Sequence, residues 1–206
     1  MGTRESVDEE KRATLRRFAA VGASAPLAAR FSESASAETG ESDARDAITG
    51  YLSTTPGAHF SKIRDDLRLG TGETQHHLRR LEDDGAIERY RDGDYKRFVP
   101  AGRFDGFEKA ALGYLRRETP RGMLVELLEN PEATTGGLAD SLGVSSPTVS
   151  KYAGELEDAG VLSREDGYVL ERPETVLMLL VRHADSFDER AAGLAANADD
   201  LVSYDG

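Results

Sequence analysis

The chain has 206 residues, with 26 Lys and Arg against 38 Asp and Glu, a formal net charge of −12, and no cysteine. Disulfides, thiolate metal sites and a thiol nucleophile are therefore excluded, and no run reaches the ~18 apolar residues that a membrane-spanning helix needs. Lys11, Lys62, Lys96, Lys109 and Lys151 are the only lysines, so arginine carries most of the positive charge. A dense carboxylate surface with Arg in place of Lys suits a chain that must stay hydrated in a cytoplasm of molar salt; the alternative is an ordinary acidic protein with a basic partner.

Residues 1–41 read as a flexible N-terminal tail, because Ser, Ala, Gly and Glu dominate and no extended apolar period survives. Inside it, residues 14–37 have the layout of a twin-arginine export signal: Arg16-Arg17-Phe18, a short apolar stretch and Ala35-Ser36-Ala37. Pro26 and Arg30 interrupt that layout.

A first helix is expected over 43–53, with Ala47, Ile48, Tyr51 and Leu52 on one face, ended by Pro56-Gly57. A short helix over 60–67 turns Ile63 and Leu67 inward, and Gly70 marks a turn. Thr71 is the expected N-cap of a third helix reaching residue 84, with Thr74, Leu78 and Leu81 inward and Gly85 as its stop. Residues 87–91 and 95–99 alternate as strands around Asp92-Gly93-Asp94, a hairpin signal. Residues 104–118 form a connector helix, its Phe104, Phe107, Ala111 and Tyr114 packing on both neighbours or joining a pairing surface. Thr119-Pro120 then opens a helix over 121–129, as N-cap and first helical residue. Helices over 135–142 and 147–159 follow, the latter opened by Ser146-Pro147, and strands over 161–164 and 168–171 flank Asp166-Gly167.

The two sets of elements are copies. A shift of 75 residues aligns them without a gap, placing Leu52 on Leu127, Pro56 on Pro131, Asp65 on Asp140, Leu81-Glu82-Asp83 on Leu156-Glu157-Asp158 and Gly85 on Gly160. Apolar character persists where identity fails, as for Ile63 with Leu138 and Ile87 with Leu162. Two short helices, a tight turn, a longer helix and a β-hairpin make a winged helix-turn-helix. The expected fold class is mainly α with small β-hairpin wings (α+β): two tandem winged helix-turn-helix domains over 42–103 and 119–172, plus a C-terminal helix over 173–206.

The stretch from Thr74-Gln75-His76-His77-Leu78-Arg79-Arg80 to Gly85 resembles archaeal regulators of the ArsR/MarR type, and Pro56-Gly57-Ala58-His59-Phe60 is similar to the entry to their second helix. Leu142-Gly143-Val144-Ser145, Thr148-Val149-Ser150-Lys151-Tyr152 and Gly160-Val161-Leu162 fit the same pattern, and the tandem arrangement resembles haloarchaeal transcriptional regulators. The resemblance spans residues 43–172 and implies DNA-binding regulation without enzymatic activity. Copy two departs from the pattern where Ala153 stands for the bulky Leu78, so its core should pack differently.

In such a fold the N-terminal, outward side chains of the third helix enter the major groove and the wing reaches phosphate or the minor groove. The candidates in copy one are Thr71, Glu73, Gln75, His76, Arg79 and Arg80 on the helix and Arg89, Arg91, Lys96 and Arg97 on the wing. Gln reads adenine, and Arg reads guanine or holds phosphate; the alternative is solvated surface charge, with Arg79 and Arg80 paired to carboxylates such as Glu82 or Asp83. Copy two offers Ser146, Thr148, Ser150 and Lys151, with Glu155 beside them and an acidic wing. Residues 43–103 hold 11 basic and 11 acidic groups, whereas residues 119–206 hold 6 basic and 17 acidic groups. Phosphate contacts dominate DNA affinity, so the first domain is expected to carry most of the binding. At ~1 M salt the Debye length is about 3 Å, so affinity must come from close contacts.

Leu177, Leu180, Ala184, Phe187, Ala191, Leu194, Ala198 and Leu201 recur at alternating spacings of three and four, an a/d seam for a homodimer. The alternative is one helix docking on its own domain. His59, His76, His77 and His183 form no evident ligand set, and no P-loop, G-x-G-x-x-G, G-x-S-x-G or H-E-x-x-H is present. The expectation is therefore a cytoplasmic, sequence-specific regulator that binds double-stranded DNA and carries no cofactor, metal or membrane segment. An effector would leave no short motif. The competing readings are a winged-helix adaptor that binds protein, and an exported protein.

Overall fold

In a computed structural model that describes residues 3–22 and 38–197, with side chains for 9–21 and 42–197, the apolar face at Ala47, Ile48, Tyr51 and Leu52 becomes the centre of the first core. All four are at most 2% exposed. The helix that carries them, α2, runs Glu38–Thr54. It is followed by a short strand β1 (Ala58–His59), α3 (Phe60–Asp66), α4 (Thr71–Asp83) and a hairpin of β2 (Ile87–Asp92) and β3 (Tyr95–Pro100). The sheet order is β1-β3-β2, all antiparallel. Ile63, Leu67, Leu78, Leu81, Ile87 and Phe98 join α2 in one cluster of buried side chains.

The chain divides into two units, Met1–Phe104 and Asp105–Gly206. The second contains α5 (Gly106–Leu115), α6 (Glu118–Glu129), α7 (Thr135–Leu142), α8 (Ser146–Asp158), the strands β4 (Leu162–Ser163) and β5 (Val169–Leu170), α9 (Pro173–Arg182), a 3-10 turn (Ala184–Ser186) and α10 (Glu189–Ala196). The two consecutive winged helix domains expected from the repeat are present. Equivalent positions are buried in both: Leu52 and Leu127, Ile63 and Leu138, Leu81 and Leu156, Ile87 and Leu162. Thr74 and Val149 are isosteric partners in the same fully buried slot. Burial is tolerated for the Thr74 hydroxyl because it donates to the Gly70 carbonyl at 2.9 Å. Ala153, in place of Leu78, is also fully buried.

Several boundaries differ from expectation. Residues 1–41 are not all tail: Thr3–Gly22 form a helix, α1, that packs against α2. Leu15 is buried and the Phe18 ring meets Tyr51 edge-on at 5.3 Å, so two apolar residues three apart suffice to seat it. Arg16 and Arg17 lie on this helix; residues 23–37, the remainder of the export-like stretch, lie outside the described residues. Thr71 is not an N-cap but the first residue of α4, capped by Gly70. Thr119 and Pro120 fall within α6, which starts at Glu118; Pro120 is tolerated there because the first four N–H groups of a helix have no partner in it.

The C-terminal seam is not one continuous helix. Phe187 adopts an extended backbone and Asp188 N-caps a new helix, its carboxylate accepting from Ala191 N–H at 3.0 Å. Arg116 fixes the break, donating to the Ser186 carbonyl at 2.9 Å and lying 4.3 Å over the Phe187 ring, and Arg121 pairs with Asp188 at 2.5 Å. The chain folds back so that α10 packs on α9 and α6. Leu180, Ala191 and Leu194 are thus buried in their own unit, Leu177, Ala184 and Phe187 are half-buried, and Ala198 and Leu201 lie outside the described residues. Among the described residues the segment docks on its own unit, as the alternative reading has it. The connector helix α5 belongs to the second unit, packing on α6 and α9.

The wing of the first unit is tied to the helices by a buried charge. Arg97 is 2% exposed, bonds Asp92 at 2.5 Å and donates to the Gly57 carbonyl at 2.9 Å. Breaking a buried pair by removing one partner costs about 3 kcal/mol. Arg97→Met is therefore expected to lower the melting temperature of the first unit by roughly 10–20 °C in calorimetry, whereas Arg91→Ala, at an exposed position, leaves it nearly unchanged.

Candidate nucleic-acid interface

Helices α3 and α4 form the helix-turn-helix of the first unit, and packing decides which face α4 leaves exposed. Thr74, His77, Leu78 and Leu81 point inward, so the helical period leaves Thr71, Gln75, His76, Arg79 and Arg80 exposed. All five are sites expected from the sequence. Glu73 is not among them. Its carboxylate accepts the Gly70 N–H at 3.0 Å, the returning half of a capping box, and pairs with Lys11 of α1 at 3.0 Å. Burial works against its charge, but the Gly70 N–H and the Lys11 ammonium together hold the carboxyl below its ordinary range. Glu73 thus fixes the start of the helix rather than facing a base.

The wing sorts its cations by strand parity. Arg89 lies opposite Phe98 and Arg91 opposite Lys96, so these share one face. Tyr90 lies opposite Arg97 and Asp92 opposite Tyr95, so Arg97 belongs to the other face, where Asp92 and the Gly57 carbonyl enclose it. Its removal from the expected contact set is a correction, and its cause is the pair of partners, Asp92 and the Gly57 carbonyl, that bury its guanidinium. Arg89, Arg91 and Lys96 are exposed. Arg80 pairs with Asp84 at 3.7 Å and Arg89 with Glu82 at 3.3 Å, both exposed cations held loosely. Among the described residues, no ion pair engages Arg79, Arg91 or Lys96.

The second unit differs at each equivalent place. Ser145 N-caps α8 and its hydroxyl lies 2.8 Å from that of half-buried Thr148. Ser146, Ser150 and Lys151 are exposed, and Lys151 pairs with Glu155 along the helix at 3.6 Å. The wing is shorter, two residues per strand, and its Arg164 is paired with Glu157. Among the described residues, no group of three or more His, Asp and Glu could hold a metal ion, and no helix is long and apolar enough to cross a membrane.

The sequence also left His59 without a role. Its Nδ1 accepts the Lys62 N–H at 3.3 Å and caps α3, the first helix of the motif. Partial burial, then the charges of Arg97 and Lys62, lower the imidazole pKa from its ordinary 6.5. Neutral Nδ1 is the form that can accept.

Comparison with known proteins agrees with this geometry. Residues 42–112 match a family described as an N-terminal HTH domain, and residues 116–163 match a family described as winged helix-turn-helix DNA-binding. The chain is 29% identical over 126 residues, 61% of its length, to an uncharacterized HTH-type transcriptional regulator of Methanocaldococcus jannaschii. The chain spans about a third of that relative, 32% of its length. No solved structure matches significantly. The chain therefore carries two tandem helix-turn-helix domains, the second matching a DNA-binding family, and its similarity is to a transcriptional regulator.

The His59 cap gives a pH dependence with a definite sign. A lowered folded-state pKa means that the unfolded chain takes the proton first. The contribution of His59 is present above about pH 6.5 and is lost as pH falls from there through the lower folded value. His59→Asn keeps a capping acceptor that does not titrate. The melting temperature of the variant relative to wild type is expected to rise as pH falls through that window and to level off below it; a difference independent of pH contradicts the cap.

Proposed function

We propose that this chain is a sequence-specific DNA-binding transcriptional regulator that reads the duplex mainly through its first unit. The observation that carries the reading is the pair Arg91 and Lys96, directly opposite one another at the exposed tip of the wing. Like charges in that relation are destabilising in the free protein, and a phosphate between them reverses the sign. Arg79, outward on α4, adds a third cation without an ion pair among the described residues, close to the N-terminal half that enters a major groove. Gln75 and His76 supply hydrogen-bonding groups on the same exposed surface.

The second unit supports a different task. Lys151 and Arg164 are both engaged by carboxylates, and Glu165 and Asp166 are exposed on its wing. That charge pattern repels phosphate and favours a contact with protein, which retains the adaptor reading for this unit alone.

The test is retention of genomic DNA fragments by the purified chain in concentrated KCl. Wild type is expected to retain a subset of fragments. Arg79→Ala, and Arg91→Ala with Lys96→Ala, weaken retention about tenfold each, and the wing variant flattens the log–log salt dependence by roughly two charges. Lys151→Ala leaves binding within about twofold. Loss confined to Lys151→Ala would move the reading to the second unit, and no selective retention by folded protein would contradict the regulator.

A further inference from the structure

We propose that Arg68 is a phosphate-contacting residue of the DNA-bound state, occupied by Glu10 of α1 when DNA is absent. The proposal rests on the reading of the first unit as the DNA-binding unit, and it adds a residue that the expected contact set does not contain.

The backbone provides the first observation. Arg68 has φ 55, and among the described residues it is the non-glycine with a positive φ. It follows the C-cap Leu67 of α3. Leu69 N–H returns to the Arg64 carbonyl at 2.9 Å, the long bond of a Schellman turn. The repeat shows what this position prefers. Shifted by 75 residues, Arg68 becomes Gly143, which has φ 64. Val144 N–H returns to the Ala139 carbonyl at 3.0 Å, so the turn is the same. Glycine adopts this conformation without strain and arginine does not. The first unit therefore keeps a cation where its own copy uses the residue that fits best, and backbone strain retained in this way points to a task for the side chain.

The second observation is what the side chain touches. Arg68 is about half-exposed and pairs with Glu10, which is more exposed still. One residue on, Lys11 pairs with Glu73 in the first turn of α4. These two contacts lay α1 beside the turn and the N-terminal end of the reading helix. A duplex that admits that end carries a phosphate strand along its flank, and a phosphodiester offers the guanidinium fork the same pair of anionic oxygens that a carboxylate does. Glu10 is then a stand-in that DNA displaces. Because the pair is exposed, its loss costs the free protein little.

The test uses the full chain with a labelled mixed-sequence DNA duplex, measuring anisotropy across a KCl series and melting by circular dichroism. Arg68→Gly is expected to bind roughly three- to tenfold more weakly, with a log–log salt slope shallower by about 0.9, and to melt no lower than wild type. Arg68→Lys retains the slope, and Glu10→Gln binds more tightly. Unchanged affinity and slope in Arg68→Gly, while Arg79→Ala weakens binding, overturns the proposal alone. Weaker binding that accompanies a lowered melting temperature also overturns it, because the residue is then structural. If wild type does not bind, or Arg79→Ala binds as wild type does, the underlying reading of the first unit fails and the proposal falls with it.

Discussion

The wing of the first unit is held by Arg97, whose guanidinium lies between the Asp92 carboxylate and the Gly57 carbonyl. A charge this deeply buried is stable only when its partners are in place, so the pair fixes where β2 and β3 stand relative to β1 and α2. Because strand side chains alternate, Arg91 and Lys96 lie on the face opposite to Arg97, the face whose base, Ile87 and Phe98, packs into the core, and they stand opposite each other where the tip runs beyond it. The same strand therefore anchors the wing with one arginine and presents charge with its neighbours. Inward packing of Thr74, His77, Leu78 and Leu81 sets α4 in the same way, and its exposed residues are what that packing leaves over.

Much of this was legible in the sequence because the repeat supplied two readings of one fold. Two registers of apolar residues that agree across 75 positions define which faces are buried, and Ile63 with Leu138 or Leu81 with Leu156 are buried as that agreement requires. Glycines at turns and the Asp-Gly hairpins carried the boundaries. What was not legible has a common cause: the residue type was right but its partner was distant. Arg97 looks like any wing cation until Gly57, 40 residues away, is seen to accept from it. Glu73 looks like a reading-face residue until Lys11, 62 residues away, is seen against it.

The two ends of the chain show the limits of periodicity. The seam from Leu177 to Leu194 keeps its spacing through a break in the helix, because spacing does not register that Asp188 is a good N-cap or that Arg116 and Arg121 anchor the bend. A capping residue inside an apparent heptad run was the signal available. At the other end, α1 has too few apolar residues to register as an amphipathic helix, yet Leu15 and Phe18 find a prepared surface on α2. Tertiary packing on α2 seats a helix that Glu, Lys, Arg and Ala already favour.

The two units have diverged around one scaffold. Gly143 relaxes a turn that Arg68 strains, Val149 replaces the hydroxyl of Thr74, and the cations of α8 and the second wing are paired with carboxylates. The central claim, that the first unit meets DNA, is tested most directly by mapping amide NMR shifts of the full chain during titration with a selected DNA fragment. The account predicts perturbations grouped at Thr71–Asp83 and at the Arg91 and Lys96 tip of the wing, with Ser146–Asp158 unmoved. Saturable perturbations confined to Ser146–Asp158 would contradict it.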